Sequence, residues 1–93
     1  MKRWETSLRM PKRLVQDAAA YIRTYSSQIE KQYQYLCKEP GAAPITVFSV
    51  QARALSVLVV TEGEDIRVNA VSDALAYVLP KNIREHVRVP RWS

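Results

Sequence analysis

Between Pro11 and Lys38 the apolar residues recur every three or four positions, as Val15, Ala18, Ile22, Tyr25, Ile29, Tyr33 and Leu36. That spacing predicts an amphipathic α-helix. Pro11 suits its first turn, where a missing N–H costs nothing, and Pro40-Gly41 ends it after Lys38. At about 100° per residue the opposite face collects Arg13, Gln16, Arg23, Ser27, Lys31, Gln34 and Lys38, a basic and polar surface. Beside the apolar stripe runs a flank of Tyr21, Gln28, Gln32 and Tyr35, groups able to meet either water or another protein.

Further on the period shortens to two. Leu55 to Thr61 is almost wholly apolar or β-branched, as expected of a central strand covered on both faces. Ile66, Val68 and Ala70 alternate with Arg67 and Asn69, which predicts a second, half-solvated strand joined to the first by a hairpin at Glu62-Gly63-Glu64-Asp65. Ile45 to Val50 alternates as well, with Ile45, Val47 and Ser49 against Thr46, Phe48 and Val50, and Gln51-Ala52-Arg53 reads as the next turn. The three strands make an antiparallel meander. Ser72 caps a short helix with Val71, Leu75, Val78 and Leu79 on one face, and Pro80 stops it. Lys81 to Ser93 fits one helical turn through Ile83 and Val87 or a short strand through Val87 and Val89.

Met1 to Met10 is read as having no clean period, so it is expected to be a basic arm (residues 1–10) ahead of a single domain (11–89) and a tail (90–93). The fold class is α+β: a long N-terminal amphipathic helix, a three-stranded antiparallel sheet and a short C-terminal helix, in the order α-β-β-β-α. A helix from Pro11 to Lys38 would be ~40 Å long, more than a domain of this size spans. Either it breaks near Thr24-Tyr25-Ser26-Ser27, where Ser27 and Glu30 have capping-box spacing, or a dimer covers its overhang. One helix, straight or kinked, is the preferred form.

Composition narrows the class. Ninety-three residues with a 47% hydrophobic and 25% charged make-up fit one folding globular domain, and two glycines leave little room for linkers. Apolar runs such as Val57 to Val60 are far short of the ~20 residues that cross a bilayer, and the N-terminus lacks a secretory core, so no membrane partner and a cytoplasmic location are expected. A single cysteine, Cys37, calls for no oxidising compartment. The net charge of +5 gathers at the two ends, in Lys2, Arg3, Arg9, Lys12 and Arg13 and again in Lys81, Arg84, Arg88 and Arg91. Such ends either reach for phosphate or serve solubility.

The α-β-β-β-α order is shared with double-stranded-RNA-binding domains. Shape readers of A-form RNA need positive charge aimed at the groove phosphates, expected at the start of the last helix. This chain has Asn69-Ala70-Val71-Ser72-Asp73-Ala74 there, so no family is claimed.

Candidate chemistry is thin. Glu62, Glu64 and Asp65 lie in one tight turn and lack calcium-loop spacing, which favours a solvated tip over a cation site. Cys37 and His86 are the sole thiol and imidazole, too few for a zinc site in one chain. No cofactor, metal or catalytic residue is expected. Trp4 and Trp92 each follow an arginine; they clamp the termini, anchor a protein partner, or stack on bases. The leading expectation is a non-enzymatic interaction protein, a homodimer, that meets a protein partner through Tyr21, Gln28, Gln32, Tyr35, Trp4 and Trp92. The alternative is a nucleic-acid-binding regulator using Arg13, Arg23, Lys31, Lys38, Arg88 and Arg91.

Overall fold

In the computed structural model, which describes residues 1–37 and 41–88, the chain opens with a strand where the sequence reading expects an arm. The elements in order are β1 (Lys2–Arg9), α1 (Lys12–Thr24), α2 (Ser26–Cys37), β2 (Ile45–Ala52), β3 (Ser56–Gly63), α3 (Val68–Tyr77) and α4 (Lys81–Arg84). The class is α+β with a three-stranded antiparallel sheet and several helices, but the order is β-α-α-β-β-α-α, so the likeness of order to an RNA-binding domain falls away.

The sheet is ordered β1-β3-β2, with β3 central and antiparallel to both neighbours. The two edge strands therefore run parallel to each other, with α1 and α2 carrying the chain from one edge to the other. On β1, Trp4, Thr6 and Leu8 stand opposite Thr61, Val59 and Val57 of β3. Thr6 and Leu8 are buried, as are Val57, Val59 and Thr61, whereas Ser56, Leu58, Val60 and Glu62 are half-buried. The central strand is thus covered by helices on one face, not on both. Its second face also carries Arg3, Glu5, Ser7 and Arg9 of β1. An irregularity in β2 between Val47 and Ser49 inserts Phe48 as an extra residue, which returns Val50 to the inner side with Ile45 and Val47.

The single long helix is replaced by two. Tyr25, at φ −106° and ψ 28°, separates α1 from α2, although its N–H still bonds to the Tyr21 carbonyl (2.9 Å) and its own carbonyl accepts from Ile29 (3.0 Å). Val15, Ala18, Ile22, Ile29 and Tyr33 are buried as the spacing predicts; Leu36 is partly buried, and Tyr25 is exposed. The break turns the one aromatic residue at its corner outward.

The expected strand at Ile66–Ala70 and its hairpin do not form. β3 ends at Gly63 and α3 begins at Val68, so Glu62 to Asp65 lead from strand to helix. Ile66, Val68 and Ala70 alternate, but Val68, Val71 and Leu75 also share a helical face, and the short run satisfies both periods. Packing of α3 against α2 decides for the helix, burying Val71, Ala74 and Leu75. Beyond Pro80, the helical alternative holds for Lys81–Arg84, while Arg88 forms an isolated β-bridge to Arg9. Val89 lies outside the described residues, as does the tail 90–93. The Arg84 guanidinium donates through Nε and Nη2 to the Leu79 carbonyl (3.2 and 3.0 Å), placing a cation just past the end of α3.

The Cα radius of gyration, 12.3 Å, is that of a compact chain of this length. Gly63 shows how tightly its core end is packed: a Cβ there would sit 3.1 Å from both Ile45 Cγ2 and the Pro44 carbonyl oxygen. Gly63→Ala is accordingly expected to lower stability by ~1–3 kcal/mol in urea unfolding, with an unchanged m value.

Candidate functional site, an exposed tyrosine surface

The helix layer buries one side and leaves aromatic side chains on the other. Tyr21 and Tyr25 lie four residues apart, hence on one face of the turn that closes α1, and their rings stack with centroids 6.0 Å apart and planes 18° apart. Both are exposed, Tyr25 by 44%. With Asp17, Ala20 and Thr24 they line a shallow cleft of about 230 Å³. Tyr25 also lines a second cleft, of about 210 Å³, with Gln28 of α2, Tyr77 at the end of α3, and Val78. One side chain therefore joins two clefts into a continuous surface drawn from three helices, with Tyr77 60% exposed at its far side.

The predicted contact residues divide accordingly. Tyr21 and Gln28 belong to this surface. Gln32 and Tyr35 follow Gln28 along the same side of α2, Tyr35 about 10 Å further by helical rise and 74% exposed. Trp4 lines neither cleft: it sits half-buried in β1, where its carbonyl accepts a long bond from Thr61 Oγ1 (3.4 Å). Trp92 lies outside the described residues. Tyr25 and Tyr77 are the members that sequence reasoning missed. The helical phase of Tyr25 places it with the core residues, and the break at that residue releases it. Tyr77 carries no signal of its own in a helix that is apolar almost throughout.

The basic residues do not form one free face. Arg13 and Lys31 are exposed on α1 and α2. Arg23 is held at the sheet, its Nη2 donating to the Val50 carbonyl at 2.8 Å. Arg88 exchanges backbone bonds with Arg9 (3.1 and 2.8 Å), and these two arginines with His86 line a cleft of about 300 Å³ beside Met10, Pro11 and Leu55. Lys38 and Arg91 lie outside the described residues. His86 lies 3.6 Å from the Glu85 carboxylate, and Cys37 is half-buried at the end of α2. Among the described residues no three His, Cys, Asp or Glu side chains come together, and no helix is long and apolar enough to cross a membrane.

A buried tyrosine holds the scaffold beneath this surface. Tyr33 of α2 is wholly buried, donates from Oη to the Asp65 carbonyl (3.1 Å) and accepts from the Arg67 N–H (2.9 Å). Its hydroxyl thereby pins the β3–α3 connection to α2, the helix against which α3 packs. Burial pushes the Tyr33 hydroxyl above its ordinary pKa, against the Arg67 N–H, which favours the phenolate, and with the Cys37 thiol adding to the rise. Compared with known protein families, curated proteins and solved structures, the chain matches none of them.

Proposed function

We propose that the chain is a small non-enzymatic interaction protein, acting as a homodimer, that binds and modulates a protein partner through the surface of Tyr21, Tyr25, Gln28 and Tyr77, extended along α2 by Gln32 and Tyr35. The observation that carries this reading is the convergence at Tyr25: two shallow clefts meet at one exposed ring, and tyrosines from two helices flank them. Exposed tyrosine offers large contact area with only two side-chain torsions to fix and a hydroxyl for orientation, which is why it is enriched where proteins meet. The clefts are shallow and open, a shape that suits a protein surface better than a small molecule, which is usually enclosed on most sides. A single cysteine suits a reducing cytoplasmic setting.

The test is capture of partners by the tagged chain with and without nuclease, alongside the Tyr25→Ala and Tyr77→Ala variants. A partner retained after nuclease and lost from both variants is the expected result. Association that disappears on nuclease treatment and ignores both substitutions would transfer the function to nucleic acid and to Arg13, Lys31 and the basic ends.

A further inference from the structure

The two edges of the sheet are treated differently. Along β2, the residues whose backbone groups point away from β3 are Ile45, Val47, Val50 and Ala52, and the helices reach over to cover two of them. The Glu30 carboxylate accepts from the Val47 N–H (3.0 Å), and Arg23 donates to the Val50 carbonyl (2.8 Å). Side chains on backbone groups block strand addition at that edge.

Among the described residues β1 has no such cover beyond Arg9. Arg9 uses its outward N–H and carbonyl in the bridge to Arg88, which fixes the phase: the odd-numbered residues of β1 present their backbone groups to the outer edge. Arg3, Glu5 and Ser7 are therefore left with outward N–H and carbonyl groups that bond to nothing among the described residues. A run of three such residues is a template for another strand.

We propose that this edge pairs with the same edge of a second copy of the chain, antiparallel about a two-fold axis through Trp4, giving a six-stranded sheet ordered β2-β3-β1-β1-β3-β2. This names the interface of the homodimer proposed above and rests on that reading for self-association alone; the tyrosine surface lies on other elements.

Charge selects the register. Outward residues must meet outward residues, so the pairing moves in steps of two. One step sets Glu5 against Glu5 of the second copy, and another sets Arg3 against Arg3, each a like-charge pair directly opposed. The register between them sets Arg3 against Glu5 and Glu5 against Arg3, with Trp4 facing Trp4 on the helix side of the sheet, in the closely spaced position that suits aromatic pairs. Glu5 is exposed and makes no ion pair among the described residues, so a partner's Arg3 supplies the opposite charge that no described residue of its own chain brings to it. Arg3 has its Nε on Glu62 (2.9 Å) and its guanidinium over the Phe48 ring (4.2 Å), which leaves its terminal amino groups for the incoming carboxylate. The pairing is self-complementary, as a two-fold interface requires.

The experiment is sedimentation equilibrium of the purified chain at about 100 μM, a concentration that reveals micromolar association. The wild type is expected to be a dimer. Glu5→Arg and Arg3→Glu should each weaken it by about tenfold or more, while an equimolar mixture of the two variants regains the dimer, since every pairing across the axis then joins opposite charges. Glu5→Pro removes an outward N–H that the β1–β3 ladder does not use, and should yield a folded monomer by circular dichroism. Arg3→Glu also loses its Glu62 contact, so its melting curve is measured beside that of Glu5→Arg. A folded wild type that is monomeric at this concentration, whether its edge takes a strand of another protein or the chain's own residues 89–93, overturns the proposal. A dimer indifferent to Glu5→Arg and Glu5→Pro overturns the interface while leaving self-association standing.

Discussion

Tyr33→Ala is expected to destabilise the chain by ~3–5 kcal/mol, enough to remove most of the stability of a domain this small. The side chain is wholly buried and its hydroxyl serves two backbone groups, the Asp65 carbonyl and the Arg67 N–H. Tyr33→Phe separates the two contributions. It keeps the ring in the core and strands both backbone groups, for a cost of ~1–3 kcal/mol. The same hydroxyl predicts an alkaline signature. Its folded pKa lies above that of the unfolded chain, so the stabilisation from its neutral form is fully present below the unfolded value near ~10 and is lost as pH rises through the higher folded value. Urea titrations at a series of pH values from ~8 to ~11.5 should therefore show wild-type stability falling at the alkaline end more steeply than that of Tyr33→Phe. Parallel curves would mean that Tyr33 does not carry the alkaline loss.

The second large effect is expected at the tyrosine surface. If Tyr25 anchors a partner, Tyr25→Ala should cost ~2 kcal/mol or more of binding, about thirtyfold in dissociation constant, because a central aromatic side chain flanked by lesser contacts carries a disproportionate share of the energy. Tyr77→Ala should follow it across the second cleft, with Tyr35→Ala smaller at the distal end of α2. Raising salt from 50 to 200 mM should change such binding little. Phosphate recognition behaves in the opposite way: with ~6 contacts, affinity falls by about three orders of magnitude over that range, and reversing Arg13 and Lys31 to glutamate removes much of the rest. Isothermal titration at the two salt concentrations, on the wild type, Tyr25→Ala and the charge-reversed variant, separates the two patterns. A steep salt dependence with no response at Tyr25 would make the basic reading correct.

Much of this surface was legible before any tertiary contact. The three-to-four spacing from Val15 to Tyr33 marks the buried side of α1 and α2, and with it the side where Tyr21, Gln28, Gln32 and Tyr35 must lie, because helical phase depends only on residues a few positions apart. The β-branched run from Val57 to Thr61 likewise announces the central strand. Local pattern was weaker wherever two periods fit the same residues. From Ile66 to Leu75 the alternation of a strand (Ile66, Val68, Ala70) and the spacing of a helix (Val68, Val71, Leu75) overlap, and contact with α2, more than thirty positions before α3 in the chain, settles the matter.

Tertiary structure alone decided the remainder. In β1, Trp4, Thr6 and Leu8 do alternate, but the inward polar threonine and the surrounding charges hide the period until β3 supplies the partner that satisfies the backbone. Tyr25 has the phase of a core residue and leaves the core because the helix breaks there, and Tyr77 meets it because α3 packs against α2, with Tyr33 tying the β3–α3 connection to the same helix. The difference between the two sheet edges has the same origin. Nothing near Glu30 or Arg23 in sequence predicts that they reach backbone groups of β2, whereas the free groups of β1 follow from the absence of a neighbour among the described residues. Periodicity sets which side of an element faces inward, since it is a property of consecutive residues. Which elements form where periods conflict, and which edges remain open, depend on hydrogen bonds and burial between segments far apart in the chain.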